Sequence, residues 1–440
     1  MSPELRAGMK VQTLYFPQSC TVESFVNKGG QAEIYRVSTK DGRFAVKLYL
    51  ANNLQLDPML RQRLDLAIRN GPPDNDPDFI WPFDLVALDS SREFAGYIMP
   101  WISEKYRGVN DLMARRVEPS NRIVAVIGMN LALKLRKLHK DGFCYTDLNF
   151  GNAMCDFETG SVVILDNDNV TINGVSTPVQ CPESFRAPEV FRGEMAANIQ
   201  TDLYSLAVFL FYLLMVHHPL DGKRELDVYY NEEGRKDLYG DRPVFIFDPQ
   251  DDSNRPDAKV HQNALIYWPM YPQFLRNMFV KAFTTGLRDP YARVTETEWS
   301  RALCRLRDSV ITCSGCGAQN FYDVDYMQAS KGVPAPCWHC CQPVLLPPRL
   351  RIGEDVSNVI VLDAHAQLFP HHVNGRNFDF SRPIAEIYGT TPVSLTNLSQ
   401  ETWGVETAGE GRFEAGPGAE IRLKNGTRIL FGKAEGVVRL

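Results

Sequence analysis

The chain has 440 residues, of which 44% are hydrophobic and 23% charged, with a formal net charge of −6. That length is more than one compact core holds and predicts two to four domains, and the apolar content excludes a largely disordered chain. The negative balance gives no electrostatic basis for binding nucleic acid or an anionic membrane surface.

In chain order, the first hundred residues read as strands around 24–26, 33–37 and 44–50, broken by Lys28-Gly29-Gly30 and Lys40-Asp41-Gly42. A helix is predicted at 58–68, stopped by Gly71-Pro72-Pro73, and further strands at 84–89 and 94–100. Helix dominates after Trp101. Residues 121–139 carry an apolar stripe at Ile123, Val126, Ile127, Leu131, Leu135 and Leu138. The run 203–216 is apolar nearly all round. At 14 residues it is shorter than the ~20 a bilayer needs, so a buried core helix is expected and no membrane span. Residues 221–263 are rich in Pro, Gly and Asp and read as a long ordered insertion with few helix signals. Helices return at 272–284 and 296–310, a linker is read at 343–348, and 351–440 reads as short strands punctuated by Gly and Asn, the pattern of a β-sandwich. Residues 1–10 are charged and lack an apolar core, so a cytoplasmic location is expected.

Three segments carry phosphate chemistry. The stretch from Asn27 to Tyr35, with Gly29 and Gly30, fits a hairpin turn or a flap whose bare backbone closes over phosphates. Lys47 follows Ile34 by 13 residues in an apolar strand, under that flap, where an ammonium can hold nucleotide phosphates. Asp147 precedes Asn152 by five residues, a carboxylate to orient a hydroxyl and an amide oxygen for a metal. Fourteen residues on, the apolar run 162–165 ends in Asp166, a hard oxygen ligand suited to Mg²⁺.

With these motifs, residues 12–308 resemble the protein kinase fold in its bacterial eukaryotic-like branch. The family's catalytic Asp and Asn match Asp147 and Asn152, and its metal-binding Asp matches Asp166. Its Ala-Pro-Glu signature matches Ala187-Pro188-Glu189, its buried helix-opening Asp matches Asp202, and the arginine that pairs with the signature's Glu matches Arg293. The resemblance implies ATP, Mg²⁺, serine or threonine acceptors on protein substrates, autophosphorylation, and an adenine-binding hinge at Met99 and Trp101, where Pro100 has no N–H to offer. This sequence departs from the pattern in several places. Asn27 and Ala32 replace two flap glycines, Tyr145-Thr146-Asp147 replaces His-Arg-Asp, Asp166-Asn167-Asp168 replaces Asp-Phe-Gly, and Asn149 replaces a lysine. The helix at 58–68 has no Glu to pair with Lys47, and Asp65 is the nearest candidate. These departures motivate the rival reading of a nucleotide-binding pseudokinase scaffold.

Ten cysteines in a reducing compartment point to metal rather than disulfides. Cys313 and Cys316, then Cys337 and Cys340 after a gap of 20 residues, form two knuckles of a zinc ribbon, with Gly315 and Gly317 easing the turns. His339 and Cys341 are possible substitutes for Cys340. The expected organisation is multidomain α+β: a bilobal kinase-like fold (1–101 and 102–308), a zinc ribbon (309–345) and a β-sandwich (350–440). The second half of 350–440 resembles a forkhead-associated domain. Arg376 does not sit in that family's phosphothreonine-reading context, and protein contact is the favoured role. His365, His371 and His372 lack metal spacing and are read as surface or packing residues. The order of domains is also similar to the kinase of tellurite-resistance-type stress triads, which implies a von Willebrand A-type protein and a metal-dependent protein phosphatase as partners.

Overall fold

The computed structural model describes residues 5–16, 18–88, 93–175, 181–228, 231–363, 366–374, 379, 382–389, 393–407 and 411–440. Arg376 and His365 lie outside the described residues. The chain divides into two compact units, residues 1–119, 127–264 and 279–300 in one and 120–126, 265–278 and 301–440 in the other.

The first unit opens with six strands, β1 (Lys10–Thr13), β2 (Ser19–Lys28), β3 (Ala32–Thr39), β4 (Gly42–Tyr49), β5 (Asp84–Ala87) and β6 (Phe94–Pro100). They close into a barrel in the order β1-β2-β3-β4-β6-β5. Closure leaves no open edge, and Val11, Val22, Tyr35, Val37, Val46, Val86 and Ile98 fill the interior. Two helices, α1 (Ala51–Leu56) and α2 (Leu60–Asn70), follow β4. Leu60 and Leu64, one turn apart, seal α2 onto Tyr49, Leu85, Tyr97 and Met99. Gly96 admits the close β4–β6 approach: a Cβ there would meet the Lys47 carbonyl oxygen at 1.9 Å.

The rest of this unit is mainly helical. The helix Asn121–Lys140 matches the predicted stripe. Ile199–Met215 is buried along nearly its whole length, as an all-apolar helix must be. Asn198 caps it, accepting from the Gln200 and Thr201 amides while Thr201 returns a bond to the Asn198 N–H. Residues 221–263 differ from expectation. They contain the short helices Lys223–Asp227 and Glu232–Lys236 and a π-helical turn at Asp237–Asp241, each too brief for a 3.6-residue period to show. Fully buried Asn254 ties this stretch down, donating to the Leu220 and Val244 carbonyls.

In the second unit a short hairpin (Val310–Thr312 and Gln319–Phe321) and the helix Val324–Ala329 lead to ten strands. These form a six-stranded and a four-stranded antiparallel sheet. One core joins the two sheets, built on Leu350, Ile360, Leu395, Trp403, Val405, Ile421, Ile429 and Val438. Among the described residues no helix is long and apolar enough to cross a membrane.

Candidate functional site

Lys47 is buried on β4, on the face opposite Val46 and Leu48 of the barrel core, where Ala45, Tyr49 and Tyr97 pack. An ammonium there requires counter-charge. Its partner is not Asp65, which instead accepts from the Tyr15 hydroxyl. Asp168 supplies it: Lys47 Nζ lies 3.0 Å from each Asp168 carboxylate oxygen and 3.3 Å from Asp166 Oδ2. The hydroxyls of Tyr49 and Tyr97 also donate to Asp168, at 2.5 and 2.9 Å. Burial alone would raise the Asp168 pKa, but the Lys47 charge and the tyrosine hydrogen bonds overcome it and hold the group below the usual carboxylate range. Burial raises Asp166, with the Asp168 charge adding to the rise against the pull of Lys47. Burial and the Asp168 charge also push both tyrosines well above 10, so they remain donors. The helix α2 offers no carboxylate to Lys47; its Arg63 is engaged with Asp57.

Asp147 lies on the loop after the Asn121–Lys140 helix. Its Oδ1 accepts from Asn149 Nδ2 at 3.0 Å, and its Oδ2 accepts from Asn152 Nδ2 at 2.9 Å and Asn169 Nδ2 at 3.1 Å. Burial pushes this carboxyl up to about 7, opposed by the Asn149 and Asn152 amides and reinforced by Asp166. With Nδ2 of Asn152 committed to Asp147, the amide oxygen is left as the atom that could take a metal. Asp166 sits at the end of the strand Val162–Ile164 with a left-handed backbone (φ +48°), and 33% of its side chain remains exposed. Asn152 and Asp166 therefore offer the few hard oxygens that Mg²⁺ accepts while keeping its waters.

Around this cleft Met99, Ala45 and Val163 share an apolar cluster with Ile34, Trp101, Met154 and Leu165, a surface suited to a flat heterocycle. Gly29 and Gly30 fill the β2–β3 turn without positive φ, and a Cβ at Gly30 would meet nothing within 4 Å. The turn itself does not demand glycine there; what glycine leaves is room and bare N–H groups.

Below the cleft, buried Asp202 accepts from the backbone amides of Tyr145 at 2.6 Å and Thr146 at 3.0 Å, and from His139 Nε2 at 3.1 Å. That clamp holds Thr146 at φ +65° and so aims Asp147. Glu189 and Arg293 form a buried two-pronged pair, both contacts 2.8 Å. The sequence reading missed Asp168, Tyr49, Tyr97 and Asn169 as site residues. The short polar run 166–169 behind an apolar strand is the signal that marks Asp168 and Asn169, whereas Tyr49 and Tyr97 sit in apolar strands that carry no such mark.

In the second unit, Cys313 Sγ lies 3.8 Å from Cys340 Sγ, and Cys316 Sγ 3.7 Å from Cys337 Sγ. Four Zn–S bonds of about 2.3 Å make tetrahedral edges of about 3.8 Å, so the donors fit zinc. The knuckles mirror each other: the Gly317 amide donates to the Cys313 carbonyl and the Cys341 amide to the Cys337 carbonyl, both at 2.9 Å. Cys341 thus stands where Gly317 does, at φ +59°, and is a turn residue outside the thiolate set. Burial raises Cys337, but backbone N–H groups of Cys340 and His339 and the Asn320 amide bring it down to about 6, favouring thiolate.

Residues 98–265 match the family model of the protein kinase domain. That stretch contains Asp147, Asn152, Asp166, Asp168, Glu189 and Asp202, and the turn with Gly29 and Gly30 and the strand bearing Lys47 precede it. No curated protein matches the chain. A protein kinase domain binds ATP and transfers phosphate to protein side chains.

Proposed function

We propose that the chain is an ATP- and Mg²⁺-dependent protein kinase that phosphorylates serine and threonine hydroxyls, its own included. The observation that carries this reading is the convergence of Lys47, Asp147, Asn152 and Asp166 on one cleft with an apolar wall. Lys47 would steady the nucleotide phosphates, and Asn152 and Asp166 would hold Mg²⁺, which would neutralise phosphate charge when bound. Met99 and Trp101 flank the adenine, with Gly29 and Gly30 above the phosphates. Asp147 accepts the hydrogen bond of the incoming hydroxyl and takes its proton as the new O–P bond forms. The bond from γ-phosphorus to the β-phosphate oxygen then breaks and ADP leaves. A carboxyl poised at about 7 suits a proton acceptor near neutral pH.

Asp168 is a positioning residue in this reading. It holds Lys47 from the metal-binding segment, the task that a helix glutamate performs in the resembled family. The four-cysteine cluster is a structural zinc site, since four thiolates leave no open coordination position. The two-sheet region (350–440) is a β-sandwich for protein contacts, and the triad resemblance nominates a von Willebrand A-type protein and a metal-dependent phosphatase as cytoplasmic partners.

The test is phosphate incorporation by the purified chain with Mg-ATP, alone and with a generic protein substrate. Asp147→Asn is expected to lower it by roughly 10²-fold or more, and Asp166→Asn to abolish it. Phosphosite mapping is expected to find Ser and Thr. Absent incorporation with nucleotide still bound would replace this reading with the pseudokinase scaffold.

A further inference from the structure

The second unit gathers another set of metal-type donors, distinct from the four cysteines. Cys304 and Asp308 lie one turn apart on the helix Glu296–Asp308, and His371 and His372 lie on the short helix Pro370–Asn374. One donor atom from each falls within 4.8 Å of the others. Cys304, Asp308 and His372 are buried and His371 is half-buried.

The hydrogen bonds assign a role to each. His371 Nδ1 faces the Asp379 carbonyl at 3.2 Å, so the proton sits on Nδ1 and the Nε2 lone pair points at Cys304 Sγ, 3.2 Å away. This is the tautomer of a metal-binding imidazole fixed by a carbonyl behind it. Cys304 Sγ lies 3.5 Å from Asp308 Oδ2. Zn–S, Zn–N and Zn–O bonds of about 2.3, 2.0 and 2.0 Å give tetrahedral S···N and S···O edges of about 3.5 Å, close to both spacings. Asp308 Oδ1 is occupied by Arg307 Nε at 2.8 Å, which leaves Oδ2 toward the other donors. His372 Nδ1 accepts the Phe369 amide at 2.9 Å, so its Nε2 keeps a proton and donates to Asp308 Oδ2 at 2.9 Å. Arg307 completes the shell through its bonds to Asp308 Oδ1.

We propose that Cys304, Asp308 and His371 form a second metal site, for Zn²⁺ or a similar borderline-soft dication, with His372 and Arg307 orienting the carboxylate and water in the fourth position. A thiolate and a carboxylate together cancel the charge of the dication, while Arg307 keeps the far carboxylate oxygen. Binding releases the Cys304 thiol proton. The ion pins the end of one helix to a short helix that lies between strands of the two-sheet region.

The test is zinc per chain, by mass spectrometry, on the full-length protein after dialysis against metal-free buffer. Two zinc ions are expected in wild type, falling to one in Cys304→Ala, in His371→Ala and, through loss of the other cluster, in Cys316→Ser. Cobalt-loaded Cys316→Ser is expected to keep a weak charge-transfer band from a single thiolate, a readout that does not depend on the Cys304 variants folding. One zinc in wild type, retained by Cys304→Ala and His371→Ala, overturns the proposal. So does a second zinc that both variants retain.

Discussion

The pairing of Lys47 with Asp168 can be broken by Asp168→Asn. The side chains are 4% and 2% exposed, and the ammonium touches both carboxylate oxygens at 3.0 Å. At that distance and an effective dielectric of 20 the attraction is about 5 kcal/mol, much of it offset by the desolvation of both groups. Removing one partner leaves the buried ammonium with Asp166 alone, and such a loss costs about 3–5 kcal/mol. The chain's own folding free energy is of similar size, so the effect is large. Urea unfolding of wild type, Asp168→Asn, Lys47→Met and the double variant measures it. Each single change is expected to destabilise by that amount, and the double variant by at least about 2 kcal/mol less than their sum. Asp65→Asn is expected to stay within about 0.5 kcal/mol of wild type. In Asp168→Asn, Lys47 turns fully to Asp166 and competes with the metal, so half-saturation with Mg-ATP should rise more than the rate falls. Additive single effects, or a loss in Asp65→Asn equal to that in Asp168→Asn, would refute the pairing.

Other outcomes follow from features of the same unit. Burial would lower His139, but Asp202 and Glu296 reverse this and raise it from 6.5 to about 9. Its folded pKa is the higher one, so its contribution of about 3 kcal/mol is complete below pH 6.5 and lost as pH rises through about 9. Unfolding midpoints at pH 6 and 10 should therefore diverge by that much more in wild type than in His139→Gln. Glu189→Gln leaves the buried Arg293 guanidinium unpaired and should lower the unfolding free energy by about 3–5 kcal/mol in a urea titration. Gly96→Ala should cost about 3 kcal/mol or more and reduce phosphate incorporation, because the new methyl collides with the strand that carries Lys47.

The sequence discloses what depends on local spacing. Asp147, Asn152 and Asp166 sit within one short stretch of chain, and the two cysteine knuckles carry their own turn geometry. The long buried helix announces itself by apolar residues on every face. The counter-ion of Lys47 is a different matter, because Asp168 is 121 residues away. Helical position makes Asp65 look eligible, yet only the tertiary fold turns it toward Tyr15. Glu189 and Arg293 are 104 residues apart and emerge only through the family pattern. The helices within 221–241 are single turns, and Asn254, whose partners are carbonyls, leaves no hydrophobic signature at all. Cys304 and His371 are separated by 67 residues, so linear spacing does not relate them.

A lysine whose counter-ion rides on the segment 166–169 rather than on a neighbouring helix changes which parts of the molecule can drift. The helix α2, relieved of pairing with Lys47, is constrained chiefly by the size of Leu60 and Leu64 and by the Arg63–Asp57 pair. Tyr49, Tyr97 and Asp168 are bound into one chemical unit, since losing Asp168 takes the acceptor from two buried hydroxyls and losing either tyrosine takes a donor from a buried carboxylate. Among descendants of this sequence those three positions are therefore expected to be inherited or replaced as a set.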